Sequence, residues 1–332
     1  MRDGNKTTLE LINGSSEKLS ILIGSRPGAL YAGLTDREIF EKTEKKVQAV
    51  KAFVERHNPD IIFTIAGMTS EAESLGAEVL VRDEGSPLIK QSPLYENPDP
   101  SRLVPISLQD SPLCRTLIRS VRILSGLYPD KIVSASVNGP LTVAGQLMGL
   151  EQLLIHSVDN PDLVRELLAP VTSRIIELMN AQIDAGARYL HVAEPTGSLL
   201  SPSLLSGIGL SYLQELFAEV KVPNHLHMCG DTTAHLEVLR ETGAGAVSVD
   251  SMVDMKKAAG LFGSSMAICG NIDAAGVLLR GTPEEVALTT RAMLEKMTSV
   301  KSYIPASSCG IPGLTPPENI DAFTKTVRTF SI

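Results

Sequence analysis

Between residues 18 and 308 the chain repeats one pattern, a short apolar run followed by a longer amphipathic stretch. That alternation is the signature of parallel strands joined by crossover helices. The runs that read as strands are 18–24, 60–65, 131–137, 188–193, 224–229, 244–250, 265–270 and 302–308. Several are rich in Val and Ile and most carry few charges, as strands covered on both faces should. Helices fit between them. One spans 36–57 after Thr35; others open at Asn160-Pro161 (160–184), Ser201-Pro202 (202–220), Thr282-Pro283 (to about 299) and Pro317-Glu318 (to about 329). A capping residue followed by proline marks a helix start, because proline's missing N–H is unpaired there anyway.

This pattern predicts a single α/β domain over 1–332, a (β/α)8 barrel with an N-terminal extension. A doubly wound open sheet is the alternative, but no GxGxxG follows the first strand. One stretch breaks the alternation. Residues 82–110 hold Gly85, Pro87, Pro93, Pro98, Pro100 and Pro105, which reads as a long excursion after the second strand, with a β-hairpin at 76–92. On a barrel such a loop is a lid or a rim element.

Composition excludes several function classes. Thirty Lys and Arg face 38 Asp and Glu, a net charge of −8, and no basic cluster is present, so nucleic acid is not the expected partner. No run approaches the roughly 18 apolar residues of a membrane span. The start MRDGNKTTLE lacks the apolar core of a secretory signal. The four cysteines, Cys114, Cys229, Cys269 and Cys309, are too few for a disulfide scaffold and fit a reducing cytoplasm.

The most informative segment is NHLHMCGDTT, 224–233. His227 and Cys229 stand two apart at the end of a strand, so their side chains share a face. Cys309, in PASSCGIPG, ends the eighth strand. In a barrel both strand ends open on the face that carries active sites. Two thiolates and one imidazole suit Zn2+, and three ligands leave a fourth position open. The residues alone equally allow a chance HxC and a buried thiol. His225 is a rival ligand or a hydrogen-bonding residue beneath the site. Cys269 ends the seventh strand and could reach the rim, whereas Cys114 reads as helix packing. Glu194, ending the fourth strand, is a candidate fourth ligand, a partner behind the ligands or a rim charge. Asp250 and Asn271 are candidates for substrate contact or for helix capping.

Five stretches carry a likeness: SEAESLGAEV (70–79), GPLTVAGQLMG (139–149), HMCGDTT (227–233), GNIDAAGVLLRGTPEEV (270–286) and CGIPGLTPPENI (309–320). With them the chain resembles the uroporphyrinogen decarboxylase superfamily, and within it the zinc-dependent methylcobamide:coenzyme M methyltransferases. The resemblance covers about residues 18–330. It implies a TIM barrel with zinc on His227, Cys229 and Cys309. It also implies a methylated corrinoid as methyl donor, brought by a carrier protein that covers the barrel mouth, and a small thiol acceptor that reacts as a zinc-bound thiolate. The acceptor it implies is coenzyme M; homocysteine or a folate are alternatives. The decarboxylase itself fits poorly. Ser25 and Ala29 stand where its substrate-clamping arginines would fall, AGMTSEAE (66–73) lacks its aspartate, and Cys309 replaces its histidine. A corrinoid-handling protein with a structural zinc is the non-catalytic reading.

Overall fold

The computed structural model describes residues 7–14 and 19–331. Its strands are β1 (Ile61–Phe63), β2 (Glu78–Leu80), β3 (Leu88–Gln91), β4 (Ile132–Asn138), β5 (Tyr189–Ala193), β6 (Asn224–Met228), β7 (Ala246–Val249), β8 (Ala267–Ile272) and β9 (Tyr303–Ser307). β1 and β4 to β9 form one curled parallel sheet in chain order, while β2 and β3 form the separate antiparallel hairpin expected at 76–92.

The predicted first strand takes a different form. Lys18 lies outside the described residues, and the segment that follows makes a single parallel bridge, Ile21 to Ala306. Ile21 N–H donates to Pro305 (2.9 Å), and Ser307 N–H donates back to Ile21 (3.0 Å). On its other side the link to β1 runs through side chains: Ser20 bonds Asp60, and Ser25 Oγ donates to the Phe63 carbonyl at 2.7 Å. The segment closes the barrel with a backbone ladder on one edge only.

Alternation along the strands sorts two cores. Ile21, Ile23, Ile61, Phe63, Tyr189, Ala246, Ala267, Cys269, Ile304 and Ala306 fill the barrel interior. Leu190, Val192, Leu226, Met228, Val247, Val249 and Ile268 face the surrounding helices. The N-terminal helix Thr8–Asn13 plugs the lower end, where Thr8 Oγ1 bonds both the carbonyl (2.8 Å) and the N–H (2.9 Å) of Asn224.

The helix starts follow the capping logic. Thr282 and Glu285 form a capping box, and Asn160 accepts from Leu163 N–H. Two predicted helices are interrupted. The 36–57 stretch breaks at Lys42, where the backbone is extended, and 202–220 contains a π-turn over Leu205–Gly209. A Cβ at Gly209 would sit 2.7 Å from Leu141, so this turn is pressed against its neighbour. No helix among the described residues is long and apolar enough to cross a membrane.

Candidate metal centre

His227 projects inward near the end of β6, and Cys229 follows the strand's last residue. His227 Nε2 lies 3.1 Å from Cys229 Sγ, and Cys229 Sγ lies 3.4 Å from Cys309 Sγ. All three donor atoms lie within 4.8 Å of one another. Barrel closure brings Cys309 across eighty residues of sequence to this point. For tetrahedral zinc the bond lengths imply donor separations of about 3.5 to 3.8 Å. The observed contacts are slightly shorter, so an ion fits after a small opening of the triangle.

Neighbouring groups set the charge and orientation of these side chains. Parallel register pairs His227 with Ser248 of β7, whose Oγ lies 3.1 Å from His227 Nδ1. That contact engages one ring nitrogen and leaves Nε2 aimed at the thiols. The contact with Cys229 and the neighbouring His227 draw the Cys309 thiol well below the usual range. The same contact, with burial, holds the Cys229 thiol above it.

The remaining candidates divide. Glu194 is fully buried at the end of β5, but its carboxylate turns to the helix Pro140–Met148, accepting from Leu141 N–H (2.8 Å) and from Thr142 Oγ1. It is not one of the three converging groups. A Cβ at Gly139 would fall 2.4 Å from its Oε2, so glycine is required there. Burial pushes Glu194 up to about 7, against the pull of those hydrogen bonds. Asp250 accepts from Gly230 N–H (3.0 Å) and from Ser251, pinning the loop behind Cys229. Asn271 lies within β8 and donates to the carbonyls of Asp250 and Val253, each at 2.9 Å.

His225 sits one layer below His227, fully buried, with Nδ1 3.0 Å from Tyr189 Oη and Nε2 2.7 Å from His191 Nδ1. Cys269 does not reach the rim: β8 continues to Ile272, leaving this thiol sealed in the barrel interior, where burial raises its pKa. Cys114 packs in its helix and donates to the Ser70 carbonyl.

Above the triad opens a cavity of about 310 Å³. Its wall includes His227, Cys229 and Cys309 together with Phe63, Ser136, His191 and Arg26. The tip of the β2–β3 hairpin borders it through Ser86, so the excursion supplies part of the rim. Arg26 holds Asp36 with two bonds (2.6 and 3.1 Å) and donates to Ser86. Sequence reading missed Ser136, His191 and Ser248. Their signal was strand alternation, which turns all three inward, but only cross-strand register shows what they meet.

Ser248→Ala removes the group behind His227 without touching the donors. The expected result is a zinc affinity weakened roughly 10- to 100-fold, read by competition with a chromophoric chelator.

A parallel (β/α)8 barrel with an imidazole and two thiols converging at its catalytic mouth defines the class to which this molecule belongs. The chain is a member of the uroporphyrinogen decarboxylase family, whose model matches residues 27–330. It is 28% identical over 270 residues to methylcobamide:CoM methyltransferase MtbA of Methanosarcina mazei, covering 79% of this chain and 78% of that protein. It is also 28% identical over 260 residues to the MtaA enzyme of the same description from Methanosarcina barkeri, covering 77% and 75%. A solved methyltransferase structure from Methanosarcina mazei superposes with a TM-score of 0.88 at 22% identity, covering 96% of each chain. That likeness establishes the barrel.

Proposed function

We propose that this protein transfers a methyl group from a methylated corrinoid, carried by a partner protein, to a small thiol, with zinc held by His227, Cys229 and Cys309. The observation that carries the reading is the contact of these three donors at the floor of a cavity on the catalytic face. Zinc bound there would supply Lewis acidity that keeps a coordinating thiol deprotonated. The relatives' names support methylcobamide as donor and coenzyme M as acceptor.

The chain's own residues orient and desolvate. Ser248 fixes the His227 ring, and Asp250 fixes the backbone after Cys229. The cavity is at the small end of ligand pockets, suited to a short thiol and too small for a corrin macrocycle. The corrinoid therefore meets the mouth from outside. Met68, Leu199, Met252 and Leu314 expose 36% to 75% of their surface on loops after β1, β5, β7 and β9, an apolar rim for that encounter. In the transfer the S–C bond forms as the Co–C bond breaks, and the electron pair stays on cobalt. Alignment of sulfur, methyl and cobalt is what the protein must provide.

The test is elemental analysis of chelator-free protein, followed by demethylation of methylcobalamin with a panel of thiols. Bound zinc and thiol-dependent demethylation are expected. No zinc after reconstitution, or no turnover with any thiol, would sink the proposal.

A further inference from the structure

Three polar groups in the cavity wall have bonding capacity that the chain leaves unused. Ser136 Oγ and Thr64 Oγ1 are buried and have no hydrogen-bond partner among the described residues. His191 uses only Nδ1, on His225. Register pairs Ser136 of β4 with His191 of β5, so the two stand side by side in one layer. The His191 and His227 rings are 6.1 Å apart between centroids, which places this layer within a short tail's reach of the thiol triad.

The hydrogen-bond chain fixes what His191 offers. Tyr189 is fully buried, and its hydroxyl meets His225 Nδ1. If Tyr189 donates, His225 donates from Nε2 to His191 Nδ1, and His191 keeps its proton on Nε2. The reverse order would leave the buried Tyr189 O–H without an acceptor, which is costly. His191 therefore turns an N–H donor to the cavity, beside a serine hydroxyl with no partner among the described residues. Arg26, the only Lys or Arg among the described residues of the wall, is already committed to Asp36 and Ser86.

We infer that His191 Nε2 and Ser136 Oγ bind the oxygen-bearing tail of the thiol acceptor, and so set its specificity over a plain alkyl thiol. The inference deepens the thiol-acceptor reading above and rests on it. It assigns recognition to hydrogen-bond donors, so a hydroxyl and a sulfonate tail should both be held.

The experiment compares ethanethiol, 2-mercaptoethanol and 2-mercaptoethanesulfonate on zinc-loaded protein, by calorimetric binding and by methylcobalamin demethylation. Wild type should bind both tailed thiols more tightly than ethanethiol. Ser136→Ala and His191→Met should each weaken the tailed thiols roughly 3- to 10-fold and leave ethanethiol and zinc content unchanged. His191→Gln, which returns an N–H near the Nε2 position, should recover part of the loss. Ser136→Ala deletes an unpaired hydroxyl, so its melting temperature should match the wild type and folding failure cannot imitate the effect. Equal weakening of all three thiols, or none, would overturn the subsite even with turnover intact. Tail-dependent binding without turnover would support the subsite and overturn methyl transfer instead.

Discussion

The Cys309→Ala variant will lose its zinc, and demethylation of methylcobalamin will fall to the uncatalysed background. Wild type will carry about one zinc per chain by elemental analysis, since metal binding of this kind is coupled to a preformed ligand set. Removing a thiolate from a three-donor site costs more than disturbing a hydrogen bond behind it. A loss of even about 3 kcal/mol is more than 100-fold in affinity. The fold should survive, because Cys309 lies beyond the last residue of β9 and is only half-buried at the mouth. Its removal also relieves the 3.4 Å approach of two sulfurs. Cys114→Ala is the control: that thiol is sealed in a helix interface, and its loss should leave zinc content unchanged. Full zinc retention in Cys309→Ala would separate the two halves of the site and end the metal assignment.

Strand alternation and the HxC spacing make the clustering of these three donors legible in the sequence. His227 and Cys229 share a face because side chains alternate along a strand, and Cys309 joins them because the ends of all the barrel strands open on one mouth. Less visible was how the first segment closes that barrel. Its apolar run reads as an ordinary strand, yet only the β9 edge receives a backbone ladder, and Asp60 replaces the other with side-chain bonds. Cys269 was misplaced by three residues of strand: β8 runs on to Ile272, and that lowers the thiol into the sealed interior. Glu194 shows a different limit. A carboxylate at a strand end has the same letters whether it faces a metal or a helix N-terminus, and here Leu141 and Thr142 hold it.

The same limit explains why the polar layer around the cavity escaped the sequence. β1 ends at Phe63, so β4 loses its neighbour on that side after Ser134. Side chains fill the vacant ladder. Gln182 bonds both the N–H (3.0 Å) and the carbonyl (3.1 Å) of Ser136, and Glu71 accepts from Asn138 N–H at 2.7 Å. Their spacing from β4, 46 and 67 residues, gives no local signal. Two buried polar side chains thus satisfy the backbone of β4 where it borders the cavity.

Glu71 consequently carries a stability that depends on pH. Its two oxygens accept from Asn138 N–H and from Asn138 Nδ2 (2.6 Å), and the group is almost wholly buried. Burial outweighs those bonds and pushes the carboxyl from 4.5 to about 7. A raised carboxyl binds its proton more tightly in the folded state. Its contribution is therefore present below the unfolded pKa and is lost as pH rises through the folded one. That difference corresponds to roughly 3 kcal/mol. Glu71→Gln cannot ionise, but it offers one acceptor to two donors, at a pH-independent cost of about 1–3 kcal/mol. Urea unfolding of both proteins from pH 5 to pH 8 should show wild type losing about 2.5 kcal/mol relative to the variant, the rest having gone below pH 5. His191, His225 and the other buried groups titrate in both proteins and cancel in the comparison. A stability difference that stays constant across this range would mean that Glu71 remains ionised throughout, with Asn138 outweighing burial.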